Sequence, residues 1–300
     1  MTQLDHESWP NGPDEGLAYH FPIGLMAGHP IPQKESYHFE LGADELHIWF
    51  IATHGEGLPE DLSSLEASLN SQEFDRYHHL VRSDVRQNFL LSRGCLRYLL
   101  GLYLNRRPGD LEFTLGRHGK PELVSSGEFP PLQFNLSHTG GRLAIALHRH
   151  KAVGIDIERL RPVTHLKKLC RRCLTHKEAQ TVLTVGLQPG QYRFLRYWTA
   201  KEAILKALGL GLSFPMNRWE VILGLEELSS QPVEVPITLS APKEEVPGFD
   251  RYKLYQWRPE DNYLAAVAIQ DSLAGFSQII HRQNTTPRKI LKTFREVRLK

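Results

Sequence analysis

The sequence predicts an α+β fold built from two halves, in each of which a helical part precedes several strands. Two stretches with helical spacing of apolar residues, 85–105 and 191–209, indicate the main helix of each half. Short apolar or alternating segments surround each helix and are typical of strands. Residues 1–43 carry many Gly, Pro and His residues and indicate a loose N-terminal extension.

Composition narrows the class of protein. The 300 residues are 41% hydrophobic and 23% charged, as in ordinary globular proteins. The net charge of +2 gives no whole-chain field that favours nucleic acid. There is no run of about 18 apolar residues that could span a membrane. A polar N-terminus and only three cysteines favour a reducing, cytoplasmic setting.

In the first half, a strand over 46–52 is expected to come first, followed by a short helix within 59–69. A helical region opens at Ser71 and, after an interruption near residues 82–84, continues as the first main helix. Further strands are expected at 111–115, 134–140, 143–147 and 153–158. The loop 116–121 is basic and contains glycines, a composition that suits an anion and also a plain hairpin turn.

In the second half, a helix is expected over 167–173, and a further helix is expected to start with Thr175 as N-cap and Glu178 at N3. The second main helix ends at Gly209. Strands are expected at 219–223, 233–239, 252–257 and 263–269. Beyond residue 275 the chain is polar and basic, which favours a solvated tail over a short helix. The alternative is an electrostatic arm that binds an acidic partner.

Two carboxylates stand out in Val153-Gly-Ile-Asp-Ile-Glu158. Apolar residues alternate with Gly154, Asp156 and Glu158, so a strand would place both carboxylates on one face. Adjacent carboxylates repel each other unless a cation lies between them. The pattern therefore fits a solvent-facing edge or a site for a hard cation such as Mg²⁺, which takes oxygen ligands.

A second pattern lies in the helical stretch Trp198-Thr-Ala-Lys-Glu-Ala-Ile-Leu-Lys-Ala207. Glu202 and Lys206 are four residues apart, so a helix places them on one face. By itself this spacing is also typical of an ordinary exposed ion pair.

Together, the segments 154–158 and 198–206 resemble the signature of the 4′-phosphopantetheinyl transferases of the broad-range type. Three more segments agree in order and spacing, namely Leu96-Arg-Tyr-Leu-Leu100, Gly119-Lys-Pro121 and Asn135-Leu-Ser-His138. The resemblance spans roughly residues 45 to 270.

The resemblance implies a fold of two α/β subdomains related by a pseudo-twofold axis, with the site between them. These would occupy 44–155 and 156–272, flanked by the extension 1–43 and a basic tail 273–300. An internal pseudo-dimer of this kind also implies a monomer.

The resemblance further implies a reaction and its residues. Coenzyme A would donate its phosphopantetheine arm to a serine of an apo acyl or peptidyl carrier protein, releasing adenosine 3′,5′-bisphosphate. Asp156, Glu158 and Glu202 would hold Mg²⁺, and Glu202 and Lys206 would be catalytic. The residues implied for coenzyme A are Arg76, Lys120, Ser137, His138 and Lys206.

Several alternatives stay open at this level. The serine proton could go to Glu202 or to a metal-bound water. Cys170 and Cys173 are best read as structural, though a C-x-x-C can also bind zinc or act in redox chemistry. The chain could also be a non-catalytic binding module for a cation and an anion. Carrier recognition is assigned to the basic residues Lys167, Lys168, Arg171 and Arg172.

Overall fold

The computed structural model describes residues 39–116, 118–124, 132–211, 213–224, 227–238, 251–271 and 278–298. The helices are α1 Ser63–Glu66, α2 Ser71–His79, α3 Ser83–Leu104, α4 Leu166–Cys173, α5 His176–Leu183, α6 Leu187–Leu208 and α7 Pro287–Arg298. The strands are β1 Glu45–Ala52, β2 Phe113–Leu115, β3 Pro121–Leu123, β4 Gln133–Thr139, β5 Arg142–His148, β6 Val153–Arg159, β7 Glu220–Val221, β8 Val233–Val235, β9 Ile237–Thr238, β10 Tyr252–Trp257, β11 Tyr263–Gln270 and β12 Gln278–Thr285. None of the helices in these ranges is long and apolar enough to cross a membrane.

Two four-stranded sheets form the centre of the fold, with strand orders β12-β1-β5-β4 and β6-β11-β10-β8. Side chains that alternate along β1 and β5, among them Ile48 and Ala146, pack against Ile155 of β6 and Val267 of β11. The outer face of the first sheet is covered by α3, and that of the second by α6. Each half therefore buries one face of its sheet against the other half and the opposite face against a 22-residue helix.

The two halves repeat one order of elements. Each half has a first strand (β1 or β6), then a long helix (α3 or α6) and, after some shorter strands, an antiparallel pair (β4–β5 or β10–β11) whose last strand lies beside the first. All pairings among these three strands are antiparallel. This confirms the predicted α+β fold of two similar halves.

Local signals explain where the helices begin and end. Asn70 and Glu73 form a capping box at the start of α2, and Thr175 and Glu178 form the predicted one at the start of α5. Gly209 ends α6 in a left-handed conformation, with φ 68°.

The C-terminal segment departs from the prediction of a solvated tail. From 278 to 285 it forms β12, which pairs in parallel with β1, and from 287 to 298 it forms α7. Ile290 and Leu291 are buried, and the ring of Phe294 lies 4.9 Å from that of Tyr98. Arg288, Lys289, Lys292 and Arg295 occupy the exposed face of this amphipathic helix, and its apolar face completes the first half.

Smaller differences have local causes. The predicted strand 233–239 is two short strands, β8 and β9, because Pro236 lies between them and cannot donate a ladder hydrogen bond. The boundary placed between residues 155 and 156 falls inside β6. Of the predicted N-terminal extension, residues 1–38 lie outside the described residues. At its end, Leu41 is buried and the ring of Phe39 lies 5.3 Å from that of Trp49.

Candidate active site

The two strongest sequence patterns meet where α6 crosses β6. Along β6, Val153, Ile155 and Ile157 point into the core between the sheets. The alternation therefore turns Asp156 and Glu158 towards α6, which carries Glu202 and Lys206. Asp156, Glu158 and Glu202 are all buried, so the solvent-facing interpretation of these carboxylates is wrong.

Gly154 permits this meeting of helix and strand. A Cβ atom at this position would lie 2.1 Å from the carbonyl oxygen of Ala203 and 2.3 Å from the amide nitrogen of Ala207. The α6 backbone thus rests directly on the β6 backbone, and only glycine leaves room for it. Because Asp156 is the next residue on the same face, this contact sets its distance from Lys206.

A close hydrogen-bond network joins three elements at this point. The Lys206 ammonium donates to Asp156 Oδ1 at 2.7 Å, to Ser137 Oγ at 3.1 Å and to the Ile155 carbonyl at 3.2 Å. The Ser137 hydroxyl donates to the same Oδ1 at 2.9 Å. Ser137 lies on β4 of the first half, so the network crosses between the halves.

Beside this network the first half holds the β6 backbone directly. Asn135 Oδ1 accepts the Ile155 amide hydrogen at 2.9 Å. Asn135 and Ser137 lie on the same face of β4, two residues apart, and are both buried. The segment Asn135-Leu-Ser-His138 is therefore positioned against β6 by its alternate side chains.

The electrostatics of the site are those of crowded, buried acids. Burial, together with the charge of Asp156, raises the pKa of Glu158 to about 7. Burial raises the pKa of Glu202 to about 8; Lys206 opposes the shift, whereas Asp156 and Glu158 add to it. Burial disfavours the charge of Lys206, but the charges of Asp156 and Glu202 outweigh it and raise the pKa of the ammonium.

The donor set suits a hard cation. Asp156 Oδ2 and Glu202 Oε1 are buried without a hydrogen-bond partner, although most buried polar atoms in proteins have one. Carboxylate oxygens left in this state are what an Mg²⁺ ion would satisfy. Within the described ranges, no three acidic, His or Cys side chains already stand together in the arrangement of a metal site.

The residues assigned to coenzyme A lie in different surroundings. His138 follows Ser137 and is exposed, so it is not a core histidine. The Lys120 ammonium donates to the Val153 carbonyl at the start of β6, at 3.1 Å. Burial lowers the pKa of Lys120 to about 8, and Glu122 partly opposes this.

Arg76 lies apart from this group on α2. Its guanidinium carbon is 5.2 Å from the centroid of the Phe89 ring on α3. This described contact is with α3 and not with β6 or α6. The structure therefore brings together Asp156, Glu158, Glu202, Lys206 and Ser137, and the position of Arg76 relative to a ligand stays a prediction.

One residue next to the site was not predicted. Lys201 on α6 is fully buried, with its ammonium 2.7 Å from Glu178 Oε2 on α5. It also donates to the carbonyls of Met216 and Trp219, at 2.7 and 2.6 Å. The capping box of Glu178 was visible in the sequence, but nothing in the spacing showed that a lysine of another helix satisfies the same carboxylate.

The Cys-x-x-Cys pair and the basic residues share α4. Cys170 and Cys173 are buried, free thiols, and burial and the neighbouring Cys173 raise the pKa of Cys170 to about 11. A raised pKa makes a thiol a poor nucleophile and metal ligand, which agrees with a structural role. The basic residues point away from this core and are exposed, namely Lys167, Lys168, Arg171 and Arg172.

Comparisons with known proteins add independent evidence. Residues 152–241 match the family described as the 4′-phosphopantetheinyl transferase superfamily. The chain is 34% identical over 235 residues to the 4′-phosphopantetheinyl transferase HetI of Nostoc sp., an alignment that covers 78% of this chain and 90% of that protein.

More distant relatives include a human and a bacterial enzyme. The human L-aminoadipate-semialdehyde dehydrogenase-phosphopantetheinyl transferase is 27% identical over 213 residues, covering 68% of this chain and 67% of that one. The 4′-phosphopantetheinyl transferase Sfp of Bacillus subtilis is 26% identical over 171 residues, covering 53% and 74%.

Proposed function

The chain belongs to the 4′-phosphopantetheinyl transferase superfamily, and we propose that it performs its reaction where β6, α6 and β4 meet. It transfers the phosphopantetheine arm of coenzyme A to a carrier-protein serine. The observation that carries the placement is the ion pair between Lys206 and the buried Asp156, beside which Asp156 Oδ2 and Glu202 Oε1 are buried without a hydrogen-bond partner. Perturbed acids around a positioned cation are a common feature of catalytic sites.

The step exchanges one P–O bond for another. The serine oxygen bonds to the phosphorus that carries the pantetheine arm, and the bond from that phosphorus to the bridging oxygen breaks. Adenosine 3′,5′-bisphosphate leaves. Phosphoryl transfer of this kind depends on positioning and on neutralising charge rather than on covalent catalysis.

Glu202 and Lys206 take the two catalytic roles. Glu202 accepts the serine proton, because its raised pKa makes its carboxylate a stronger base than an ordinary one. Lys206 stays charged and stabilises the negative charge that develops on the bridging oxygen. Its hydrogen bonds to Asp156 and Ser137 hold it in place for this.

The carboxylates of Asp156, Glu158 and Glu202 would hold Mg²⁺, because their oxygens are the donors that this cation takes. When bound, it supplies positive charge that polarises the pyrophosphate. The protein's part is to hold the three acids in a buried cluster in which their charges act on one another. The phosphates of coenzyme A are bound from the first half by Lys120, Ser137 and His138. Arg76 binds the 3′-phosphate.

The acceptor docks on α4. Four exposed basic residues there form one charged surface without an acidic residue among them, namely Lys167, Lys168, Arg171 and Arg172. Such a surface fits an acidic carrier protein and mainly raises the rate of association. Reversing the charges of Arg171 and Arg172 is expected to raise the KM for the carrier and leave that for coenzyme A unchanged. An unchanged KM for the carrier would refute this docking surface.

The state and location of the enzyme complete the proposal. It acts as a monomer, because both halves of the site are in one chain, with Ser137 of β4 against Asp156 of β6. It acts in the cytoplasm, where its free thiols stay reduced. Sedimentation at micromolar concentration is expected to show one chain per particle.

The intact mass of an apo acyl carrier protein tests the reaction. After incubation with this protein, coenzyme A and Mg²⁺, we expect the carrier to gain one phosphopantetheine. EDTA and the substitution Asp156→Ala are each expected to abolish the gain, and Asp84→Ala, which removes an exposed acid at the start of α3, is expected to preserve it. No gain with several unrelated carriers, despite measurable binding of coenzyme A, would favour a binding module instead.

A further inference from the structure

The hairpin between β4 and β5 ends in a turn of two glycines. Gly140 and Gly141 have φ angles of 50° and 85°, and Thr139 pairs with Arg142 on either side of them. Two consecutive residues with positive φ form the tight turn that suits the twist of a hairpin. Ser137 and His138 lie on β4 within three residues of Gly140. A shift of the turn would therefore change their positions.

The second half contacts the turn at several points. The Tyr263 hydroxyl, at the start of β11, donates to the Gly140 carbonyl at 2.6 Å. The Arg159 side chain, at the end of β6, lies so close to Gly140 that a Cβ atom there would be 2.7 Å from its Cδ. The turn of the first half is therefore seated on the strand ends of the second half.

An ion pair with two parallel hydrogen bonds joins the same two regions. Arg142 Nε donates to Glu260 Oε1 at 3.0 Å, and its NH2 group donates to Oε2 at 2.9 Å. The guanidinium carbon also lies 5.2 Å from the centre of the Tyr263 ring and 6.0 Å from that of Phe50. A forked pair packed on aromatic rings fixes direction as well as distance, which a single lysine contact would not.

We propose that Arg142, Glu260 and Tyr263 form a hairpin clamp that positions Ser137 over β6, and His138 next to it at the end of β4, for binding of coenzyme A. Asn135 fixes β4 to β6 on one side of Ser137, through the Ile155 amide. The hairpin clamp fixes it on the other side, three residues further along. With both attachments in place, Ser137 meets Asp156 and Lys206, and His138 is held next to Ser137 on the opposite face of β4.

The hairpin clamp contributes to alignment more than to stability. The Arg142 side chain is 17% exposed and that of Glu260 is 33% exposed, so water partly screens the ion pair and limits its contribution to the free energy of unfolding. The alignment of Ser137 and His138 is more sensitive, because a shift of about 1 Å in a group that binds the substrate can lower kcat/KM up to about a hundredfold. The inference rests on the proposed function only for its ligand.

A double-mutant cycle tests the hairpin clamp. Arg142→Ala and Glu260→Ala are each expected to raise the KM and the Kd for coenzyme A about tenfold, with kcat changed less than about threefold. The double variant is expected to bind no worse than either single one, because both remove one interaction. Melting temperatures are expected to fall by less than about 3 °C.

A matched control separates the hairpin clamp from a general effect of losing an ion pair. Arg288 of α7 pairs with Glu60 at 3.5 Å, within the first half and away from β4. Arg288→Ala is expected to leave coenzyme A binding unchanged. Unchanged binding in the Arg142 and Glu260 variants, or losses that multiply in the double variant, would overturn the proposal.

Hydrogen exchange tests the positioning without any ligand. Both single variants are expected to speed amide exchange in β4 about tenfold, with no change in α7. If the unaltered protein neither binds coenzyme A nor modifies a carrier, the proposed function fails, whereas this exchange result still decides the hairpin clamp. Equal protection of β4 in the variants and the unaltered protein would overturn it.

Discussion

The two long helices each carry one fully buried cation at the equivalent position, Arg97 on α3 and Lys201 on α6. Each lies fourteen residues after the start of its helix. Each pairs with the N3 glutamate of the capping box in the preceding short helix, Glu73 at 2.6 Å and Glu178 at 2.7 Å. Each also donates to two carbonyls that follow the helix, those of Pro108 and Leu111 in the first half and of Met216 and Trp219 in the second.

The halves differ in what lies between the long helix and the first strand. On β1, His47 and Trp49 reach the Tyr103 hydroxyl of α3, at 2.6 and 2.9 Å. Bulky rings thus separate that helix from its sheet. On β6, Gly154 lets α6 rest on the strand, and Asp156 reaches Lys206. The same framework therefore holds an aromatic core in one half and a cluster of acids in the other.

The largest expected effect comes from adding a side chain at Gly154, where α6 rests directly on β6. Gly154→Ala inserts a methyl group 2.1 Å from the Ala203 carbonyl oxygen, which belongs to the backbone and cannot move aside. We expect a loss of about 3 kcal/mol or more in the free energy of unfolding. In any folded fraction, carrier modification is expected to fall at least a hundredfold or so, because α6 must lift away from β6.

Gly109 supplies the control for that substitution. A methyl group there would lie 3.9 Å from the nearest atom, the Ala67 carbonyl oxygen, which is an ordinary contact. Urea unfolding and carrier mass should both be near those of the unaltered protein for Gly109→Ala. Comparable losses in the two variants would show that the close approach at Gly154 is not what builds the site.

The next effect concerns the two buried cations. Lys201→Met leaves Glu178 buried without its cation and is expected to cost about 3–5 kcal/mol. Arg97→Met is expected to cost less, because the Glu73 side chain is 15% exposed and water can reach it. Denaturant unfolding of both variants measures this difference, and a larger loss for Arg97→Met would contradict it.

Lys201→Met and Arg97→Met are expected to differ more in kcat than in the free energy of unfolding. Lys201 precedes Glu202, so its loss disturbs the site directly, whereas Arg97 lies in the half that carries the aromatic core. At a temperature where both variants are folded, kcat is expected to fall only for Lys201→Met. A matched fall for Arg97→Met would mean that the two cations serve the site equally.

The sequence predicted the second half of this comparison better than the first. Alternation in Val153–Glu158 and the four-residue spacing of Glu202 and Lys206 are local patterns, and the fold places those side chains as the patterns require. The repeated pairing of Arg97 and Lys201 was not predictable, because each links residues more than twenty positions apart. Spacing carries no signal for such contacts.

The prediction of a solvated tail failed for the same reason, because the structure of the C-terminal segment depends on contacts with residues far away in the sequence. Its basic residues indicated a solvated tail, but Ile290, Leu291 and Phe294 recur at helical spacing and face α3. Because most residues of this stretch are polar or charged, three apolar residues were too few to predict an amphipathic helix. Parallel pairing of β12 with β1 joins residues more than two hundred positions apart, which no local pattern predicts.

The smallest expected effect concerns the basic loop through which the first half reaches the site. Lys120 donates to the Val153 carbonyl, and burial lowers its pKa to about 8. A lysine is charged below its pKa, and a phosphate binds the charged form. The Kd for coenzyme A is therefore expected to rise about tenfold between pH 7 and 9.

In Lys120→Arg the guanidinium stays charged over this range, so the rise should largely disappear. Calorimetric titration of both proteins isolates this group, since Glu122 and the carboxylates of β6 and α6 are present in each. An equal rise in the arginine variant would show that Lys120 does not contact the phosphates and that the first half binds them through Ser137, His138 and Arg76 alone.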